Sequence, residues 1–242
     1  KARTLKHNLK IASLLSMVAG FVNVVGFFAI QRLTTNVTGH FAFFVDEVFK
    51  LNFWQAFIYF LYIFFFFLGS FTSNFLIEII SRKNERYIFV VPASIEFCIL
   101  LLLGSVGQAF GNSRSEIIAC SLLFAMGLQN SLVTTISNAN VRTTHLTGLF
   151  TDLGIELSQL FFYKTKEQRH KLISSIKLRL TIISFFFIGG IVGGTIYSKT
   201  GLRSLIFAAL ILGSGLVYDY IKFKLRLLRR KMKKQALPPP GS

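Results

Sequence analysis

Apolar residues run on through this chain where a soluble helix would interrupt them with polar ones. Between Trp54 and Ile80 the sequence holds Phe57, Ile58, Tyr59, Phe60, Leu61, Tyr62 and Ile63, followed by Phe64 to Phe67. A helix that is apolar on every side lies either deep in a large protein or in lipid. Six stretches, at about 10–31, 54–80, 87–109, 115–137, 178–198 and 203–222, reach the roughly 20 residues needed to cross the hydrocarbon core. Two further segments, about 38–49 and 147–162, are shorter and more polar. Each opens on Thr-Gly and carries carboxylates, so neither suits a lipid-facing span. The pattern predicts an all-α integral membrane protein with about six transmembrane helices and two short re-entrant or broken helices.

Composition agrees. Of 242 residues, 52% are hydrophobic, 28 are Phe and 15% are charged, whereas a soluble domain carries about 25% charged residues. So short a chain cannot wrap six such helices in protein, which leaves the lipid bilayer as their partner. The net charge of +17 suggests nucleic acid at first sight. Its location argues otherwise. The basic residues gather at segment ends, Lys1 to Lys10, Arg82 to Arg86, Lys164 to Arg179 and Lys222 to Lys234, as cytoplasmic flanks of membrane helices do. No nucleic-acid partner is expected. The tail at 223–236 suits anionic headgroups. Cys98 and Cys120 lie within apolar stretches and give neither a disulfide framework nor metal-ligand spacing, so no metal or cofactor is expected. The chain starts at Lys1 rather than Met and reads as trimmed, and its first apolar stretch is too long for a signal peptide. Residues 237–242 read as a linker or cloning scar.

Lys and Arg counts bear on topology. If the two short segments return to the side they entered from, only Arg32, Lys50, Arg114, Lys199 and Arg203 lie outside. If they cross fully, seven basic residues do: Arg32, Arg82, Lys83, Arg86, Arg142, Lys199 and Arg203. The first arrangement is preferred, mildly. Both put the two termini in the cytoplasm, in a multi-pass inner or plasma membrane protein.

A repeat organises the chain. Thr34-Thr35-Asn36-Val37-Thr38-Gly39 returns as Thr143-Thr144-His145-Leu146-Thr147-Gly148, at an offset of 109 that also carries Glu47 onto Glu156. Gly20-Phe21-Val22-Asn23 returns as Gly127-Leu128-Gln129-Asn130 at an offset of 107. Repeat 1 covers about 10–110 and repeat 2 about 115–222 of one membrane domain. Three full crossings per half would invert the second half, as in many secondary transporters.

These blocks, with Ala19-Gly20-Phe21-Val22-Asn23, Asn36-Val37-Thr38-Gly39-His40, Ala125-Met126-Gly127-Leu128-Gln129-Asn130 and Leu146-Thr147-Gly148, resemble the signature of the YoaK family, uncharacterised and mostly bacterial membrane proteins usually described as six-helix. The resemblance covers about 10–222 and implies a transporter without an assigned substrate. The family usually has Asp where Asn23 stands and Asn where His40 stands, so a coupling role for that Asp does not carry over.

The candidate solute-binding residues are those of the two motifs and the helices before them: Asn23, Thr34, Thr35, Asn36, Thr38, Gly39, His40, Gln129, Asn130, Thr143, Thr144, His145, Thr147 and Gly148. Thr38 and Thr147 are expected to cap the short helices, Gly39 and Gly148 to allow the turn, and the helix N-termini to favour an anion. Pure packing is the competing role for both Thr-Gly pairs, and packing is favoured for Gly69, Gly189, Gly190, Gly193 and Gly194. Glu96, Glu47, Asp152 and Glu156 are candidates for coupling, since ionisable groups within spans are functional candidates by default. The expected function is a secondary transporter of a small polar or anionic solute, with proton coupling. A channel or a non-transporting scaffold shares the features. An intramembrane enzyme lacks a motif here. A homodimer is compatible with such a fold.

Overall fold

The computed structural model describes residues 5–83, 88, 90–110, 115–136, 146–163 and 165–218. The helices are α1 (Leu5–Ile30), α2 (Val37–Phe49), α3 (Phe53–Lys83), α4 (Val90–Val106), α5 (Ser115–Ile136), α6 (Leu146–Gln159), α7 (Lys166–Thr200) and α8 (205–218), with 3-10 turns at Gly107–Phe110 and Gly201–Ser204. No strand occurs among the described residues.

Five segments are long and apolar enough to cross a membrane: Ala12–Ile30, Phe53–Arg82, Val90–Ala109, Ser115–Thr135 and Lys166–Tyr218. The last is 53 residues long and is broken at Gly201, whose φ of 60° suits a glycine. It therefore holds two helices, α7 and α8. Helix α7 begins at Lys166, twelve residues before the apolar run expected at 178. Its first turns carry Lys and Arg and point outward, so hydropathy alone hides them.

Outward faces are apolar, as lipid requires. Along α3, Phe57, Phe60, Phe64, Phe67, Phe71 and Phe75 recur every three or four residues and are all exposed, with Phe71 and Phe75 stacked at 5.7 Å. Trp54 stands at the start of the same helix, where an indole suits the membrane–water boundary. Inside, Val18, Ala19, Phe21, Val22, Leu100, Leu122, Met126 and Ile182 are fully enclosed.

Contacts fix the helix directions. Leu15 lies against Gln129 and Gly26 against Leu122, so α1 and α5 are antiparallel. Met17 meets Gly189 and Phe21 meets Gly193, so α1 and α7 are parallel. Tyr62 packs with Ala119, and Gly69 meets Phe124, so α3 and α5 are parallel. Gly104 meets Ile206 and Phe97 meets Gly213, while Leu14 meets Gly215, so α8 runs against both α4 and α1. Helices α1, α4 and α7 thus run one way and α3, α5 and α8 the other.

The two parallel crossings correspond position by position. A Cβ on Gly20 would strike the Phe186 carbonyl, and one on Gly189 the Met17 carbonyl. A Cβ on Gly127 would strike the Phe66 carbonyl, and one on Gly69 the Phe124 carbonyl. Gly20 and Met17 map onto Gly127 and Phe124 at the offset of 107, and Phe66 and Gly69 map onto Phe186 and Gly189 at 120. Only a residue without a side chain allows backbones this close, so the packing role expected of Gly69, Gly189 and Gly193 is what the structure shows.

Candidate functional site

The chain reverses after α1. Gln31 adopts the left-handed region, with φ of 52°, and residues 31–36 fold back along the helix they have just left. Thr34 donates to the Val22 carbonyl at 3.4 Å and Thr35 to Asn23 Oδ1 at 2.8 Å. Helix α2 then starts two turns below the end of α1 and returns antiparallel to α3, Phe43 stacking on Tyr59 at 5.3 Å. A short helix held this way enters and leaves at the same end of the bundle.

The capping differs from expectation. Asn36, not Thr38, caps α2, its Oδ1 accepting from the Gly39 N–H at 3.0 Å. Thr38 and Gly39 sit in the first turn of the helix itself. The reversal is made by Gln31 and the extended stretch after it, so Gly39 is not the turn residue. Gly148 likewise lies in the first turn of α6, where an added Cβ would meet none of the described residues within 4 Å. Thr147 is exposed, and Thr143, Thr144 and His145 lie outside the described residues.

His40 is the buried residue of α2, with 2% of its surface exposed. Its Nε2 contacts the Leu33 carbonyl at 2.7 Å, which puts a proton on Nε2, while Nδ1 is buried without a hydrogen-bond partner. The ring rests edge-on against Tyr62 at 5.1 Å and near Tyr59 at 6.1 Å. Arg32 lies over the Tyr59 ring at 5.3 Å and bonds the Tyr62 hydroxyl.

The second half uses other chemistry at the matching positions. Helix α6 is held to α7 by Arg179, which pairs with Asp152 at 2.8 Å and Glu156 at 2.9 Å. Ser175 donates to the other Glu156 oxygen at 2.6 Å. Asp152 and Glu156, both candidates for coupling, are engaged by this one guanidinium. Glu47 stands at the far end of α2 and accepts from Asn52 at 2.9 Å.

Polar atoms also sit in the interior without partners. Glu96 is fully enclosed and neither carboxyl oxygen has a hydrogen bond among the described residues. The same holds for Ser16 Oγ, Ser73 Oγ and Gln129 Oε1. Ser16, Ser73 and Gln129 each lie within a turn of one of the four contact glycines. Gln129 donates from Nε2 to the Leu15 carbonyl, across to the antiparallel helix. The Asn130 carbonyl accepts from Thr134 at 2.7 Å.

The structure therefore joins Asn23, Thr34, Thr35, Asn36, Gly39 and His40 in one place, and Gln129 to α1 beside it. It sets Asp152 and Glu156 apart, against α7. Sequence reading missed Arg32, Tyr59, Tyr62 and Arg179. A signal lay in the recurring spacings. At an offset of 120, Tyr59 falls on Arg179 and Gln55 on Ser175; at 109, Phe43 falls on Asp152. No group of three or more His, Cys, Asp or Glu able to hold a metal occurs among the described residues.

Among known proteins, the family described as "Protein of unknown function (DUF1275)" matches the chain over residues 11–218. No curated protein and no solved structure matches it.

Proposed function

The chain belongs to the DUF1275 family, and we propose that it is a secondary transporter of a small polar or anionic solute. One observation carries this reading: corresponding helices run in opposite directions. Helix α1 opposes α5, and the same two glycine-to-carbonyl crossings join each half to the other. We read this as two inverted repeats of three crossings, each with one re-entrant helix, α2 or α6. Six crossings then put both termini in the cytoplasm, and α2 and α6 enter from opposite sides of a plasma membrane. The resemblance to YoaK proteins belongs to the same reading.

Such a design supports alternating access, because two half-related structures can exchange roles about a central site. Backbone that leaves regular helix at membrane depth is tolerated only where protein or a cavity receives it, and residues 31–36 are received by Val22 and Asn23. Glu96 supports coupling, since it is an enclosed ionisable group within a span. Nothing in the motif set calls for catalysis.

The test is flux. Purified protein in liposomes, given imposed proton and solute gradients, should accumulate at least one member of a broad panel of organic acids, phosphate esters and amino acids. A panel with no gradient-dependent uptake rejects transport, and single-channel currents in a planar bilayer would assign a pore instead.

A further inference from the structure

The two halves treat an arginine beneath the re-entrant helix differently. In the second half Arg179 stands where Tyr59 stands in the first, and Asp152 where Phe43 stands. There the guanidinium is answered by two carboxylates and neutralised. In the first half the Phe43–Tyr59 stack replaces that ion pair, and the positive charge arrives from the loop, as Arg32 over the Tyr59 ring. No carboxylate lies within 4.0 Å of Arg32 among the described residues.

Arg32 is half-buried, and its Nε is enclosed without a partner. Its Nη1 donates to the Gln31 carbonyl at 3.3 Å, and the guanidinium also bonds the Tyr62 hydroxyl. His40 Nδ1 is enclosed without a partner as well. The two side chains share neighbours: the His40 ring lies near Tyr59 and Tyr62, and the Arg32 guanidinium lies over Tyr59. Buried nitrogens of this kind are rarely left unsatisfied in a native protein. A guanidinium beside an imidazole, with no carboxylate of the described residues in salt-bridge range, favours an oxyanion.

We propose that Arg32 and His40, backed by Tyr59 and Tyr62, form a binding site for an oxyanion of the carboxylate or phosphate type, which binds together with one proton. The proton balance follows from the tautomer. The neutral ring carries its hydrogen on Nε2, facing the Leu33 carbonyl. Nδ1 becomes a donor only by taking one proton from solvent, and an anion between it and Arg32 favours that uptake. A monoanion and a proton then bind with no net charge. The surrounding groups do not supply this proton: Glu116 and Cys120 of α5 stand behind Tyr62, and Asp46, Glu47 and Lys50 are engaged with one another and with Asn52 at the far end of α2.

The site names a solute class for the transport reading and rests on that reading only in treating the bound anion as cargo. The sign of its pH dependence is fixed. With the site empty, the Leu33 carbonyl holds the ring's hydrogen on Nε2 and Nδ1 is bare, so binding an anion there takes up a proton. Affinity rises as pH falls, and levels off once the empty site is already protonated.

The experiment uses the full chain in a neutral detergent, with sulfate and acetate as probes, because neither titrates above pH 6. Calorimetry between pH 6 and 8, at ionic strength held with chloride, should show binding that tightens by up to about tenfold per pH unit. Arg32→Gln should weaken it at least tenfold, Arg32→Lys less, and His40→Gln should abolish the pH slope while leaving a monodisperse protein. If only phosphatidic acid in nanodiscs binds, and does so through Arg32, the site stands with a lipid phosphate as its oxyanion. Equal binding by wild type and Arg32→Gln overturns the site, as does no binding by sulfate, acetate or phosphatidic acid. An unchanged pH slope in His40→Gln overturns the proton. Binding with no flux in liposomes would reject transport and leave the site intact.

Discussion

Glu96 shows what one residue reveals about its surroundings. It lies on the inner stripe of α4, in register with Pro92, Ala93, Leu100 and Leu103, and both its oxygens lack hydrogen bonds. Burying an unpaired carboxylate is costly, so the native fold bears an expense here that a neutral isostere avoids. Glu96→Gln should therefore melt at the same temperature as the wild type or higher, while losing proton-driven uptake. A large fall in melting temperature would show that the carboxyl is structural. Its burial was legible from sequence because an ionisable residue between Ile95 and Phe97 stands in the middle of an apolar run. The Arg32 site was not, since Arg32, Tyr59 and Tyr62 meet His40 only because residues 31–36 double back. Nor was the Asn36 cap, because the Thr38 hydroxyl is also a good capping acceptor and stands two residues later.

At the level of elements, the glycines divide into two kinds that look alike in sequence. Gly20 and Gly127 face carbonyls of a parallel helix, and neither backbone can give way. Gly148 faces open space. Gly20→Ala and Gly127→Ala should each cost about 1–3 kcal/mol in reversible unfolding in mixed micelles, the range for overpacking a tight interface. Gly148→Ala should lie within about 0.5 kcal/mol of wild type, helped by the better helix propensity of Ala. The contrast is sharp, since all three belong to motifs that recur in both halves. Arg179→Gln should release α6 from α7. It leaves Glu156 largely buried and Asp152 half-exposed, so a loss of about 2 kcal/mol is expected, below the full value for an enclosed pair. Faster proteolysis within 146–163 would be its second sign. The end expected at 222 lies outside the described residues, and the helices themselves were well marked in sequence, with described ends within about five residues for all but α7. Its basic first turns are helix outside the apolar run, which a hydropathy window cannot see.

For the whole molecule the recurring motifs were visible in the sequence, whereas the inverted repeat we propose from them was not. Lys and Arg counts leaned only mildly to the inverted arrangement, and the antiparallel contact of α1 with α5 is what supports it. The arrangement has a direct check. With Cys98 and Cys120 replaced, single cysteines at Asn52 and Lys199 should react with an impermeant maleimide from the same side of the membrane, and one at Glu167 from the other. Eight full crossings would put positions 52 and 199 on opposite sides.

The parallel crossings have a consequence for how the protein is made. Helix α1 finds its closest neighbour in α7, and α3 in α5, so neither early helix has its main partner in its own half. At about 5–20 residues per second, α1 waits on the order of 10 s for α7 to leave the ribosome. Through that interval the Gly20 notch faces lipid or a chaperone. The N-terminal half is therefore an unfinished interface during synthesis. A fragment ending near residue 110 should be degraded when expressed alone and accumulate when the second half is supplied as a separate chain.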